Sequence, residues 1–268
     1  MSVISVVSMK GGVGKTTLTA NLAVALAARL GKNRVAVIDF DPRSSLPWHI
    51  GLGNFNGRTA PPEKGLVHIS DVKNELKPES ITDITTFGYH SESGVVCLPF
   101  GDASEVQRKS FEKMLQRKAS WLSDLIENAK LDRDYLVLID TPPGHSVYQQ
   151  QALKAADLSI AVLLPDAASY ATLASMESEF SENPSVMPSV YVVNQYDQRQ
   201  ALCIDVVKIL RQDIGERLVP ILISQDEGVR EALALQKTCM QYDPHSQASH
   251  DIDQLSQWLV TAINRGHD

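Results

Sequence analysis

The residues best suited to chemistry lie near the start of the chain, in Ser8-Met9-Lys10-Gly11-Gly12-Val13-Gly14-Lys15-Thr16-Thr17. Glycines let backbone approach phosphate oxygens and turn N–H groups inward as an anion nest. A helix starting at the end of such a loop adds its positive end to that field. Lys15 can then reach the β- and γ-phosphates, the Thr16 hydroxyl can ligate Mg²⁺, and Thr17 is placed for the α-phosphate. The general phosphate-loop pattern G-x-x-x-x-G-K-[ST] is missed by one residue, because Met9 stands where its first glycine belongs, and a second lysine, Lys10, is added. A glycine-rich turn without a ligand is the alternative. Background residue frequencies would produce Lys-Gly-Gly-x-Gly-Lys-[Ser/Thr] in a chain this long on the order of once in ten thousand cases.

Three carboxylates follow the same logic. Asp39 and Asp41 are two apart, so in extended backbone both side chains point the same way. Asp140 ends a strongly apolar run and opens Asp140-Thr141-Pro142-Pro143-Gly144. A strand-terminal Asp beside a phosphate loop suits a metal-supporting role, and Gly144 leaves room for a backbone N–H to touch a γ-phosphate. Strand-end Asp residues also serve simply as turn formers and helix caps. Asn194, after the run Val192-Val193, carries an amide that can both donate to and accept from a base edge, or can act as an ordinary turn residue. The Lys-x-Asp that would select guanine is missing after it, so ATP is the expected nucleotide, with Mg²⁺.

These residues need a scaffold, and hydrophobic patterning supplies one. Apolar strand candidates run over Val3–Val7, Val35–Ile38, Val95–Leu98, Tyr135–Ile139, Ser159–Leu164, Ser189–Val193 and Val219–Ile223. Helical periodicity covers Thr16–Leu30, Ser104–Ala129, Val147–Ala156, Tyr170–Phe180, Arg199–Ile214, Val229–Leu235 and Ile252–Ile263, and a short helix is expected at Ile69–Leu76. Residues 43–94 are the least readable. Continuous apolar strands are buried on both faces, and alternation with helices implies right-handed crossovers. The expected fold is α/β, a single doubly wound, mostly parallel sheet flanked by helices, with residues 1–268 forming one domain. Ligands of such sheets sit beyond the carboxyl ends of the strands, where the loops after Val7, Ile38, Ile139 and Val193 lie.

Composition removes several classes. The net charge of −7 counts against a wholesale nucleic-acid coat. Cys97, Cys203 and Cys239 form no CxxC pair, so neither a disulfide framework nor a structural zinc site is expected. The seven histidines are dispersed without an HExxH arrangement. No apolar run approaches the roughly 20 residues of a membrane span, and Met1–Met9 lacks the basic start of a signal peptide. A cytoplasmic protein is expected.

Lys10-Gly11-Gly12-Val13-Gly14-Lys15-Thr16-Thr17 resembles the deviant Walker A motif of the MinD/ParA ATPases. Asp39-x-Asp41 is similar to that family's switch I, Asp140-x-x-x-Gly144 to its switch II, and Val192-Val193-Asn194 to its adenine-reading loop. The resemblance implies an ATP-hydrolysing switch in which two subunits sandwich two ATP molecules. Lys10 would reach the partner's nucleotide, Asp41 would orient or activate the water, and Asp39 and Asp140 would support the metal. Where relatives place Ile-Pro near the base, this chain has Ile223-Ser224. The iron-protein branch needs a cluster cysteine in the switch II region, and Asp140–Gly144 has none. Cys97-Leu98-Pro99-Phe100-Gly101 and Leu218–Glu231 look most like the cellulose-synthase accessory ATPases. That branch implies protein partners in a membrane-associated secretion complex (cellulose synthase subunits and a small helper), with peripheral placement at the inner membrane through them. A DNA-partitioning ATPase and an ATP-locked scaffold are the alternatives. The last helix ends with little positive charge, which fits a docked core helix better than a basic membrane tail.

Overall fold

The computed structural model describes residues 1–53, 65–69, 88–129, 131–132, 134–173 and 190–265. The strands are β1 (Ser2–Val7), β2 (Val35–Asp39), β3 (Tyr89–His90), β4 (Val95–Leu98), β5 (Leu136–Asp140), β6 (Leu158–Leu163), β7 (Val190–Tyr196) and β8 (Leu218–Ser224). They form one sheet in the order β3-β4-β2-β5-β1-β6-β7-β8, parallel except for the β3–β4 pair. The chain steps outward from β1 to β2 and the edge strand β3, returns through β4 to insert β5 beside β1, then builds outward on the other side through β6, β7 and β8. The expected doubly wound, mostly parallel sheet is therefore present.

The strands are apolar on both faces because both faces are covered. Ile4 and Val6 pack with α1 (Lys15–Leu30), whereas Val3 belongs to the opposite layer. That layer contains α4 (Glu105–Arg117), α5 (Trp121–Asn128) and α6 (Val147–Ala155). A third cluster joins Val7, Ala161 and Val193 to α7 (Ala201–Ile214). Further helices among the described residues include α2 (Leu46–His49), α3 (Leu66–Ile69), α8 (Glu227–Ala234), α9 (Cys239–Tyr242) and α10 (Gln247–Arg265). Ile252, Leu255 and Leu259 of α10 are buried in the core, and Arg29 of α1 bonds Asp253 at 2.6 Å. The last helix is docked, as expected, and begins five residues before Ile252.

The helix expected over Ser104–Ala129 is instead two. The chain leaves helical geometry at Lys118 (φ −118°, ψ 84°). Gln151 of α6 repairs the break: its amide nitrogen donates to the carbonyls of Leu115 and Lys118 at 3.0 and 2.7 Å, and its oxygen accepts from Leu122 N–H at 3.1 Å. A distant side chain thus overrides local helical periodicity. The helix expected at Ile69–Leu76 lies beyond Ile69 outside the described residues, as does the expected Tyr170–Phe180 helix beyond residue 173; the helical segment observed there covers residues 167–173. No helix among the described residues is long and apolar enough to cross a membrane.

Candidate functional site

The loop between β1 and α1 turns through Gly12 and Gly14, both at positive φ. Gly14, just before α1, has φ +81°, and a Cβ there would lie 2.5 Å from the Asn194 amide nitrogen. That nitrogen donates to Val13 O at 2.8 Å, tying the end of β7 to the phosphate loop. Helix α1 therefore starts with its free N–H groups facing the loop.

Lys15, Thr16 and Asp140 come together as the sequence pattern anticipates. Lys15 Nζ lies 3.2 Å from Asp140 Oδ1 and also donates to Thr141 O. Thr16 Oγ1 donates to Asp140 Oδ2 at 2.7 Å, and Thr19 Oγ1 reaches Oδ1 at 3.4 Å. Asp140 is fully buried, and burial raises its pKa against the opposing pull of Lys15 and Thr16. Across the β2–β5 register stands Asp39, whose pKa is raised well above the ordinary value by burial and then by Asp140 and Asp41. Asp39 is an anchor: its two oxygens accept from Asp41 N–H at 3.3 Å and Leu46 N–H at 3.2 Å. Between the two aspartates, Phe40 points the other way. It packs into an aromatic cluster with Tyr148 (centroids 5.2 Å apart) and Trp121 (6.4 Å), so both carboxylates are turned toward the site.

Asp41 is almost completely buried and lies in the fork of Arg43. The guanidinium reaches Oδ2 from Nη2 at 2.6 Å and from Nε at 3.0 Å, while Oδ1 accepts from Arg43 N–H at 3.0 Å. Lys10 extends from the loop to Asp166, 2.8 Å away. Burial pushes the Asp166 carboxyl up, but bonds from Lys10 and Ser169 outweigh it and leave its pKa lowered. Gly144, at φ +80°, donates its N–H to Ser8 O at 2.8 Å, which joins the loop after β5 to the phosphate loop.

Two cavities meet at Gly14 and Thr17. One, of about 310 Å³, is bounded by Lys10, Gly11, Gly12, Lys15, Thr16, Arg43, Ser45, His49 and Pro143, with no carboxylate among its lining residues. Burial pushes the His49 pKa down to about 4. The other, of about 120 Å³, has apolar walls from Leu18, Ile223, Val229, Leu233 and Ile252, and is lined as well by Asn194, Gln195, Gln225, Asp226 and Arg230. Ser224, standing where relatives have proline, donates its N–H to Asp251 Oδ2 at 2.9 Å, a bond that proline could not make.

Arg43, His49 and Asp166 were not anticipated from sequence. Asp166 follows β6 just as Asp140 ends β5, so the strand-end rule points to it once β6 is included. The metal donors anticipated at Thr16, Asp39 and Asp140 are all hard oxygens, and Asp140 sits against the Thr16 hydroxyl. Such a set suits Mg²⁺, which takes one or two carboxylates and completes its shell with phosphate oxygens and water. No cluster of three or more His, Cys, Asp or Glu able to hold a metal exists among the described residues. The three cysteines are buried and free.

Parallel sheet, phosphate loop with two lysines and strand-end aspartates define a P-loop protein of the MinD/ParA class. The sequence profile of the cellulose biosynthesis protein BcsQ matches residues 1–61 and 72–260. The chromosome partitioning protein ParA of Caulobacter vibrioides is 30% identical over 258 residues, covering 91% of this chain and 88% of that protein. The chromosome-partitioning ATPase Soj of Thermus thermophilus is 29% identical over 268 residues, covering 97% and 96%. Among solved structures, the septum site-determining protein MinD from Pyrococcus horikoshii, complexed with Mg-ADP, superposes with a TM-score of 0.73 at 22% identity, covering 99% of this chain and 98% of that one. A ParA family ATPase from Chlorobium tepidum gives 0.73 at 21%, covering 96% and 97%. The chain belongs to the BcsQ family of MinD/ParA-type P-loop ATPases.

Proposed function

We propose that this chain is an ATP-dependent switch: Mg-ATP joins two copies across the nucleotide, and slow hydrolysis releases them. The observation that carries this reading is the convergence of Lys15 and Thr16 on Asp140 beside a cavity ringed by cations. The continuous sheet supports treating residues 1–268 as one working unit.

In the proposed reaction a water oxygen bonds to the terminal phosphorus. The bond from that phosphorus to the bridging oxygen breaks, its electron pair stays with ADP, and both water protons leave with the phosphate as dihydrogen phosphate. The protein's task is positioned charge rather than covalent chemistry. Glycines 11, 12 and 14 would cradle the phosphates, with Val13 and Thr17 in the same cradle, and Lys15 would neutralise them. Asp41 would hold the water, Lys10 would reach across to the partner's nucleotide, the Gly144 N–H would move to the γ-phosphate, and Asn194 would read adenine. Thr16 and Asp140 would hold magnesium with support from Asp39; when bound, the ion supplies charge neutralisation at phosphate oxygens.

The BcsQ match supports an output in assembling or positioning a cellulose-secretion machine at the inner membrane, from the cytoplasm and through protein partners. Relatives named for chromosome partitioning favour a second reading, an ATP dimer that grips DNA, and the net charge of −7 weighs against it.

Light scattering with ATP tests the switch. Asp41→Ala should accumulate as a dimer and lose turnover, whereas Lys10→Ala should stay monomeric. A monomeric Asp41→Ala protein with ATP sinks the dimer, and normal turnover in it removes the role of Asp41. DNA binding that appears only with ATP and weakens steeply with salt would favour the second reading.

A further inference from the structure

Beyond the family's motif residues, one side chain has the position and chemistry to sense the terminal phosphate. We propose that Arg43 is a positioning residue with two stations. It clamps Asp41 while the site holds no triphosphate, and it transfers to the γ-phosphate when ATP enters, leaving Asp41 free to take the attacking water. This rests on the ATP reading above.

The clamp occupies the group that the reaction needs. Both Asp41 oxygens accept from Arg43, through Nε at 3.1 and 3.0 Å, Nη2 at 2.6 Å and the backbone N–H at 3.0 Å. A carboxylate held in a planar fork in this way has little capacity left for a water molecule. Its hold on Asp41 also raises the guanidinium's own pKa, and because a guanidinium is protonated in any protein setting, Arg43 stays charged at either station.

The clamp is also easily released. Asp41 is 1% exposed, but the Arg43 side chain is 64% exposed, so the cation leaves a solvated position rather than a buried one. Arg43 borders the same cavity as Lys10 and Lys15, beside Ser45 and His49. A space walled by three cations and neutral donors attracts an anion, and a guanidinium fits phosphate bidentately as well as it fits carboxylate.

The backbone around the clamp is prepared for such a transfer. Asp39 fixes the loop at Asp41 N–H and Leu46 N–H, so the Arg43 side chain can swing while its base stays in place. Ser44, the next residue, has φ +48°, in the left-handed region that favours glycine, and its hydroxyl is buried with no hydrogen-bond partner.

The experiment uses the full chain with Mg²⁺ and measures binding of ADP and a non-hydrolysable ATP analogue, together with steady-state hydrolysis, for wild type, Arg43→Ala, Arg43→Gln and Arg43→Lys. Arg43→Ala and Arg43→Gln should weaken the analogue roughly tenfold and leave ADP within twofold, and the hydrolysis defect should fall mainly on KM. Arg43→Lys should recover part of the analogue affinity. An unchanged ratio of analogue to ADP affinity in Arg43→Ala and Arg43→Gln overturns the two-station role. Equal weakening of both ligands with a lowered melting temperature overturns it too, in favour of simple loop support. A wild-type chain that binds neither nucleotide overturns the ATP reading itself, a result distinct from a lost ratio.

Discussion

The two cavities that meet at Gly14 are built on opposite principles. The phosphate side gathers charge: Lys10, Lys15 and Arg43 around the space, with the buried carboxylates Asp39, Asp41 and Asp140 just behind it. Each cation there holds a partner, Asp166, Asp140 or Asp41, that an incoming polyanion can displace. The base side gathers apolar surface from α1, β8, α8 and α10, and its polar side chains already have partners within the protein: Asn194 on Val13 O, Asp226 on Gly228 N–H and Arg230 on Glu227. One wall is poised to change partners and the other is already satisfied. Discrimination between ATP and ADP should therefore reside on the phosphate side, with the base side adding affinity to both equally.

The largest expected effect tests the phosphate side. Lys15→Ala removes the cation beside a fully buried carboxylate, and breaking one half of such a pair costs about 3 kcal/mol or more. Chemical denaturation should show that loss, and calorimetric titration should show ATP binding abolished. A loss under about 1 kcal/mol would mean that Asp140 is stabilised mainly by Thr16 and Thr19 rather than by the lysine.

The same contrast explains what sequence could show. Lys10, Lys15 and Thr16 are legible because backbone nests and charges demand fixed residue types at fixed spacing. Asp39 and Asp41 are legible by strand parity, and Asp140 by its place at a strand end. Their partners are not legible. Arg43 faces Asp41 because Asp39 and Phe40 fix the loop, and Asp166 faces Lys10 only because β6 lies beside β1. The base cavity draws Leu18, Ile223 and Ile252 from segments far apart in sequence, and no local pattern marks them. The fold divides the same way. Apolar runs announced the parallel strands, but β3 has two residues and α2 and α3 have four each, too short for any period to register. The break between α4 and α5 depends on Gln151, more than thirty residues after Lys118.

A second prediction concerns pH. The His49 imidazole borders the phosphate cavity with its pKa pushed down by burial to about 4, below the ordinary value of 6.5. Between those values the unfolded chain binds a proton that the folded chain refuses. The contribution is therefore full above pH 6.5 and is lost as pH falls toward 4. Between pH 7 and pH 4.5, wild type should lose roughly 2 kcal/mol more stability than His49→Gln, read from urea denaturation across pH. Parallel curves for the two proteins would mean that His49 is hydrated, and that the phosphate side is wetter than its lining suggests.

The smallest effect tests the base side. Ile223 is 3% exposed and belongs both to the base cavity and to the core cluster around α1 and α10. Ile223→Val removes one methylene, at a cost of about 1 kcal/mol in stability. It lines the base cavity and not the phosphate cavity, so it should weaken ATP and ADP by the same factor. Paired titrations with the two nucleotides measure that factor directly. If the ATP-to-ADP ratio moves while Arg43→Ala leaves it unchanged, the division of labour is reversed. Discrimination would then arise from how tightly β8 and α1 close around Gly14, and the shared residues Gly14 and Thr17 would be the place to look for the coupling.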